Sequence, residues 1–220
     1  MRIALIGMSG SGKSFWSSVL SRHGFKAFGC DDEIGRHLAA AGKIPDLSID
    51  SLGRWMGFPF TPGFAKREAH YLSLEARVMD EMLSGLEDQP ENDASTPLVV
   101  DTTGSVIHTG EAIMKRLRQQ AVVIYLALPI RHREALRQAY VANPRPVVWQ
   151  QHFLKNPGEN DRDALKRCYY NLLEDRETRY RQYAHLEIQW QPTPDRAPAI
   201  DTLLAPVTAF LKHRQSSNGF

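Results

Sequence analysis

Gly7-Met8-Ser9-Gly10-Ser11-Gly12-Lys13-Ser14 follows directly on the apolar run Ile3-Ala4-Leu5-Ile6 and leads directly into Phe15-Trp16-Ser17-Ser18-Val19-Leu20. A short buried strand, a glycine loop and a helix N-terminus therefore succeed one another without a gap. The glycines let the backbone turn tightly and aim consecutive N–H groups at one point. The new helix adds the positive end of its dipole there. Such a loop cradles the phosphates of a nucleotide, lined by Gly10, Ser11, Gly12, Lys13, Ser14 and Phe15. Lys13 places its charge on the β- and γ-phosphates, and the Ser14 hydroxyl is a ligand for Mg²⁺. Residue frequencies alone would produce this G-x-x-x-x-G-K-S pattern in roughly one chain of this length in a hundred. The strand before it and the helix after it argue against a mere flexible turn with a solvated lysine.

Outward from this loop, strands and helices alternate. Strands are predicted at 2–6, 26–28, 98–101, 122–128 and 186–190. Helices are predicted at 13–22, from 31 to about 41, around 49–56, 64–86, 110–120, from 131, 161–184 and 199–213. Residues 87–97 are a polar loop, and 141–160, rich in proline and asparagine, read as a mobile lid. Strands alternating with helices imply an α/β fold with a parallel sheet, in a single domain over 1–220. Residues 32–85 are the segment expected to bind substrate.

Composition narrows the class. The chain has 220 residues, 42% hydrophobic and 24% charged, with 27 Lys+Arg against 25 Asp+Glu. A net charge of +2 predicts no general attraction to nucleic acid or to an acidic membrane. Two cysteines, Cys30 and Cys168, argue against a disulfide framework and for a reduced, cytoplasmic setting. No apolar run approaches the ~20 residues that span a bilayer, and the first residues read as part of the fold rather than as a signal peptide. No two histidines or cysteines have metal-ligand spacing. Trp55, Met56, Phe58 and Phe60 form an apolar cluster that reads as core.

Two acids stand at strand ends. Asp31, just after the second strand, faces the γ-phosphate position across the carboxyl edge of the sheet and suits a general base; it could equally cap the helix that follows, a role otherwise assigned to Asp32. Asp101 ends an apolar strand, where it either organises Mg²⁺ or forms the turn. The phosphate loop does not itself choose among kinases, GTPases and ATPases. No Asn-Lys-x-Asp motif reads guanine, and the length suits a small-molecule kinase.

The chain resembles shikimate kinase and related small-metabolite kinases. The resemblance runs through the loop and Cys30-Asp31-Asp32-Glu33-Ile34. It continues through Phe64-Ala65-Lys66-Arg67-Glu68 (family Phe-Arg-x-x-Glu) and Asp101-Thr102-Thr103-Gly104-Ser105 (family Gly-Gly-Gly). Arg145-Pro146 and Leu173-Glu174-Asp175-Arg176 complete it. It implies a P-loop NTPase fold with a five-stranded parallel sheet in the order 2-3-1-4-5. It implies ATP and Mg²⁺ as cofactors and phosphoryl transfer to a hydroxyl of a small polar, anionic metabolite. It assigns Asp31 to the acceptor hydroxyl, Gly104 and Arg176 to the acceptor, Arg145 to the lid and Arg137 to adenine. It further implies a small-molecule acceptor as the only partner, in a monomer or weak homodimer. A nucleoside or nucleotide kinase, and a nucleotide-binding paralogue with little activity, are the competing readings. Departures concern the acceptor: Ala65 replaces an arginine, Thr103 and Ser105 replace glycines and should crowd the substrate, and Gly29 replaces an aspartate.

Overall fold

The computed structural model describes residues 1–88, 96–129, 132–142, 147–189 and 199–217. Five parallel strands, β1 (Arg2–Ile6), β2 (Lys26–Gly29), β3 (Leu98–Asp101), β4 (Val122–Ala127) and β5 (Leu186–Gln189), lie in the order β2-β3-β1-β4-β5, as the resemblance implied. Helices α1 (Lys13–Arg22), α2 (Cys30–Ala40), α3 (Ile49–Met56), α4 (Phe64–Glu87), α5 (Glu111–Gln120), α6 (His132–Ala142), α7 (Asp161–Tyr183) and α8 (Asp201–Ser217) flank it.

The central strands are apolar throughout because helices cover both faces. Side chains alternate between those faces. Ile3 and Leu5 pack with Trp16 and Leu20 of α1 and with Leu203 and Val207 of α8. Ala4 and Ile6 pack against the larger layer built from α2, α4, α5 and α7. Both cysteines are buried and free. Met56 is fully buried, and Trp55 and Phe58 pack against the core, while Phe60 is partly exposed and stacks on Phe58.

Several boundaries differ from the sequence reading. Helix α2 begins at Cys30, with Gly29 as its N-cap, so Asp32 lies inside the first turn rather than capping it. Helix α8 runs on to Ser217. Short 3₁₀ turns at Val106–His108 and Gln150–His152 were not anticipated. Among the described residues, no helix is long and apolar enough to cross a membrane.

The expected lid over 141–160 is anchored in its middle. Val147, Val148 and Trp149 are buried, and the Trp149 indole N–H donates to the Tyr140 hydroxyl at 3.1 Å. Trp149 is right-handed and Gln150 has φ 48°, a pairing that points successive N–H groups into one concavity. The Glu68 carboxylate fills it, accepting from the N–H of Trp149 and, at 3.0 Å, from that of Gln150. Removing that carboxylate leaves two N–H groups unpaired, so Glu68→Ala should lose about 1–3 kcal/mol. Urea denaturation together with faster hydrogen exchange confined first to 147–153 would check this; unchanged exchange there would show that the carboxylate does not hold the segment.

Candidate active site

The carboxyl edge of the sheet gathers the chemistry. The strand register sets Asp101 level with Leu5 of β1 on one side and Gly29 of β2 on the other. The chain beyond β1 therefore begins the phosphate loop beside Asp101, and α2 starts on its opposite flank. Beyond β3, the buried Thr102 hydroxyl donates to Leu5 O at 2.7 Å, which keeps the strand ends together past the last sheet pair.

Three loop glycines have positive φ, namely Gly7 at 146°, Gly10 at 84° and Gly12 at 91°. At Gly7 space also forbids a side chain, since a Cβ would lie 2.9 Å from both Leu126 O and Ser11 Oγ. Lys13 is buried, and its ammonium donates to Gly7 O at 3.0 Å and Met8 O at 2.9 Å. Burial lowers the pKa of this ammonium, while Asp101 and Asp31 pull it back up. Ser11 Oγ is packed beneath the loop against Gly7, without a hydrogen-bond partner among the described residues. A polyphosphate fits the concavity that the loop backbone, the Lys13 cation and the Ser14 hydroxyl line.

The loop opens into a cavity of about 390 Å³ that Gly10, Gly12, Lys13, Ser14 and Phe15 share with Asp31, Gly104 and Arg176. Burial raises the pKa of Asp31, opposed by the Lys13 charge and by a hydrogen bond from Tyr71. The Tyr71 hydroxyl donates to Asp31 Oδ1 at 3.1 Å. Asp31 is thus a carboxylate of increased basicity held in one orientation, which suits it to take a proton.

Burial likewise raises the Asp101 pKa, against Lys13 and a hydrogen bond from the Ser14 side chain. Gly29, where the family has an aspartate, is not simply a loss. A Cβ there would lie 2.7 Å from Asp32 Oδ2, so the Asp32 carboxylate folds back into the space of the missing side chain. Ser14, Asp32 and Asp101 all line the outer concavity beside α1. Hydroxyl and carboxylate oxygens of this kind suit Mg²⁺, which uses one or two carboxylates and completes its shell with phosphate and water.

Arg176 of α7 is buried in the cavity wall. One Nη donates to Val148 O at 2.8 Å, and Nε has no hydrogen-bond partner among the described residues. Thr103 and Ser105 do not crowd the cavity, contrary to the sequence expectation. Both are buried and turn inward to Glu75 of α4, whose carboxylate accepts from the Thr103 hydroxyl and, at 2.6 Å, from the Ser105 hydroxyl. The Ser105 N–H closes the turn onto Thr103 Oγ1 at 3.0 Å. Only Gly104 faces the cavity, and its carbonyl accepts from Tyr180. A Cβ on it would sit 3.2 Å from the Ser9 nitrogen. A side chain there would press on the loop backbone, while its neighbours serve the turn.

Other predicted residues lie apart. The Arg137 guanidinium pairs with Glu134 on its own helix, and Glu134 also accepts from Tyr170. Arg67, two residues from the lost arginine, donates to Met56 O at 3.0 Å and Pro62 O at 3.1 Å, bracing the turn before α4. Arg145 and Pro146 lie outside the described residues. Tyr71, Glu75 and Asp32 escaped the sequence reading. For Glu75 a signal existed: it stands four residues from Tyr71 and from Met79 on the buried face of α4.

A scan against protein-family models finds no match, and a search of curated proteins finds none. Solved structures do match. Shikimate kinase from Acinetobacter baumannii, in complex with shikimate, is 24% identical, with a TM-score of 0.60 over 96% of this chain and 93% of that one. The chain has the shikimate kinase fold. The enzyme from Bacteroides thetaiotaomicron is 17% identical (TM-score 0.57; 96% and 98% covered). That from Aquifex aeolicus is 18% identical (TM-score 0.53; 95% and 97% covered).

Burial pushes the Glu75 pKa up to about 7, against hydrogen bonds from Ser105 and Thr103 and the nearby Arg176 charge, with Asp31 raising it further. The folded chain therefore keeps a proton that the unfolded chain releases near pH 4.5. Stability from this group is full below about pH 4.5 and declines as pH rises to about 7, by something of order 3 kcal/mol. Glu75→Gln, uncharged and able to pair with both hydroxyls, should remove that slope and be the more stable protein at pH 8. Denaturation curves at pH 5 and pH 8 decide it; parallel loss in both proteins would disprove the assignment.

Proposed function

We propose that this protein is a phosphotransferase that moves the γ-phosphoryl group of Mg·ATP to a hydroxyl of a small anionic metabolite. One observation carries the reading. A single cavity is lined by the glycine loop, by the buried cation Lys13 with Asp31 beside it, and by the buried Arg176, whose Nε has no hydrogen-bond partner among the described residues. Phosphoryl transfer asks a protein mainly for position and electrostatics, and the residues divide accordingly.

The loop N–H groups and Lys13 hold the terminal phosphates and neutralise charge that builds on them. Ser14, Asp101 and Asp32 would hold Mg²⁺, which when bound draws charge from the β- and γ-oxygens. Asp31 Oδ accepts the proton of the acceptor hydroxyl as that oxygen attacks, and Tyr71 keeps the carboxylate turned to it. Arg176 grips an anionic group of the acceptor and so fixes which hydroxyl reaches Asp31. The Acinetobacter baumannii enzyme of the same fold was solved with shikimate, which supports a small hydroxy acid as the acceptor. Here Ala65 offers no second guanidinium, so shikimate should be a poor acceptor.

Lys13→Ala should fold normally and lose ATP turnover, because the buried positive charge is gone. Asp31→Asn should bind a non-hydrolysable ATP analogue as the parent does, yet lower kcat by roughly 10²- to 10⁴-fold. Both are measured with a coupled ADP-release assay over a panel of hydroxy acids, sugars and nucleosides. Parent-like turnover by Lys13→Ala would refute the loop's role. A nucleoside as the preferred acceptor would replace the anionic-metabolite reading. For the metal shell, Asp32→Asn and Asp101→Asn should each raise the Mg²⁺ concentration needed for half-maximal rate; an unshifted requirement in Asp32→Asn would remove Asp32 from the shell.

A further inference from the structure

A group of hydrocarbon side chains shares the cavity with the charged ones. Leu47, Ile49 and Leu52 line one side, and Leu172 and Leu173 of α7 line the other. Leu52, Leu172 and Leu173 are buried core residues with a face on the cavity, but Leu47 is different. It is 49% exposed, an uncovered leucine at the mouth. It cannot withdraw, because both neighbours fix the backbone. Asp46 Oδ1 accepts the Ser48 N–H at 2.9 Å, and the Ser48 hydroxyl caps α3 by accepting the Ser51 N–H at 3.1 Å. The leucine rests on Gly35, where a Cβ would lie 3.7 Å from its methyl carbon. Among these apolar residues stand the polar side chains of Asp31 with Tyr71, Asp32, Tyr169, and Arg176 beside Gly104.

Resting on the kinase reading above, we infer that the acceptor is a hydroxy acid with a hydrocarbon body, not a polyhydroxylated acid or sugar. Its hydroxyl meets Asp31, its carboxylate meets Arg176, and the carbon skeleton between them lies against Leu47, Leu52 and Leu172. A cavity of about 390 Å³ is at the small end of ligand sites, which leaves room for a compact acceptor beside a terminal phosphate. Extra hydroxyls on the part of the skeleton that lies along the leucines would lose water without a partner there, and an unpaired buried hydroxyl is strongly disfavoured. Burial of methylene groups in their place is favourable.

A matched pair of ligands tests this. Shikimate and 3-hydroxycyclohexanecarboxylate share a six-membered ring, a carboxylate and a hydroxyl at the same ring position, and shikimate carries two further hydroxyls. Calorimetric titration of the full chain with a Mg-bound non-hydrolysable ATP analogue should show the cyclohexane acid binding at least about tenfold tighter. Leu47→Ser, on an exposed side chain, should weaken the cyclohexane acid roughly fivefold and leave shikimate and the nucleotide analogue unchanged. Equal or tighter binding of shikimate overturns the inference, as does indifference of the cyclohexane acid to Leu47→Ser. Binding of neither acid while the analogue still binds overturns the acceptor class alone and spares the nucleotide assignment. Failure of the analogue to bind overturns both.

Discussion

The Lys13 ammonium is a charge held inside the protein. Burial lowers its pKa, and two carboxylates from neighbouring strand ends oppose that shift. That balance dictates much of the architecture. It needs Asp101 at the end of β3 and Asp31 at the start of α2 within reach of one point, which the strand order β2-β3-β1 supplies. It needs a loop whose carbonyls can receive the ammonium and whose N–H groups remain for phosphate. The glycines at 7, 10 and 12 meet that need through backbone conformations that other residues rarely adopt. Burial raises the basicity of Asp31 against the pull of that same cation, so each charge limits the shift that burial imposes on the other.

The acceptor end solves the converse problem. Arg176 is a buried cation that acts on the buried acid Glu75, whose proton affinity is raised into the neutral range and which is occupied by two hydroxyls. The arginine is therefore incompletely compensated by that acid, which is the ground for the proposed anionic acceptor. Glu75 meanwhile organises the Thr103-Gly104-Ser105 turn from behind. Where the related kinases place bare glycines, this chain keeps one glycine facing the cavity and uses the flanking side chains as internal hydrogen-bond donors.

The loop, the sheet and the order of the elements were legible because each rests on local signals: a glycine spacing, apolar runs of strand length, helical periodicity. Asp31 and Asp101 drew notice at strand ends, whereas Gly104 and Arg176 came only from the resemblance; the cavity brings Asp31, Gly104 and Arg176 together. What escaped depends on contacts between residues distant in sequence. That Thr103 and Ser105 turn inward is set by a carboxylate 28 and 30 residues away, and no local pattern reveals it. Asp32 was read as a cap because capping is the commoner fate of an aspartate before a helix. Its fold-back onto Gly29 becomes visible only when the geometry of the turn is known. The anchored middle of 141–160 was missed because proline and asparagine signal irregular backbone, and irregular backbone can still be tightly packed when a buried tryptophan and an opposing carboxylate secure it.

Helix α4 carries Glu68, Tyr71 and Glu75 at intervals of three and four residues, so all three project from one stripe within about 11 Å of helix length. Each reaches a different part of the protein: the 147–153 segment, Asp31 and the Thr103-Gly104-Ser105 turn. Inserting or deleting a single residue between 68 and 75 would swing everything beyond it by about 100° around the axis, so the three links could no longer all be made at once. The seven-residue interval is thus a fixed gauge in the evolution of this chain, intolerant of changes in length although it lies in the interior of an ordinary helix.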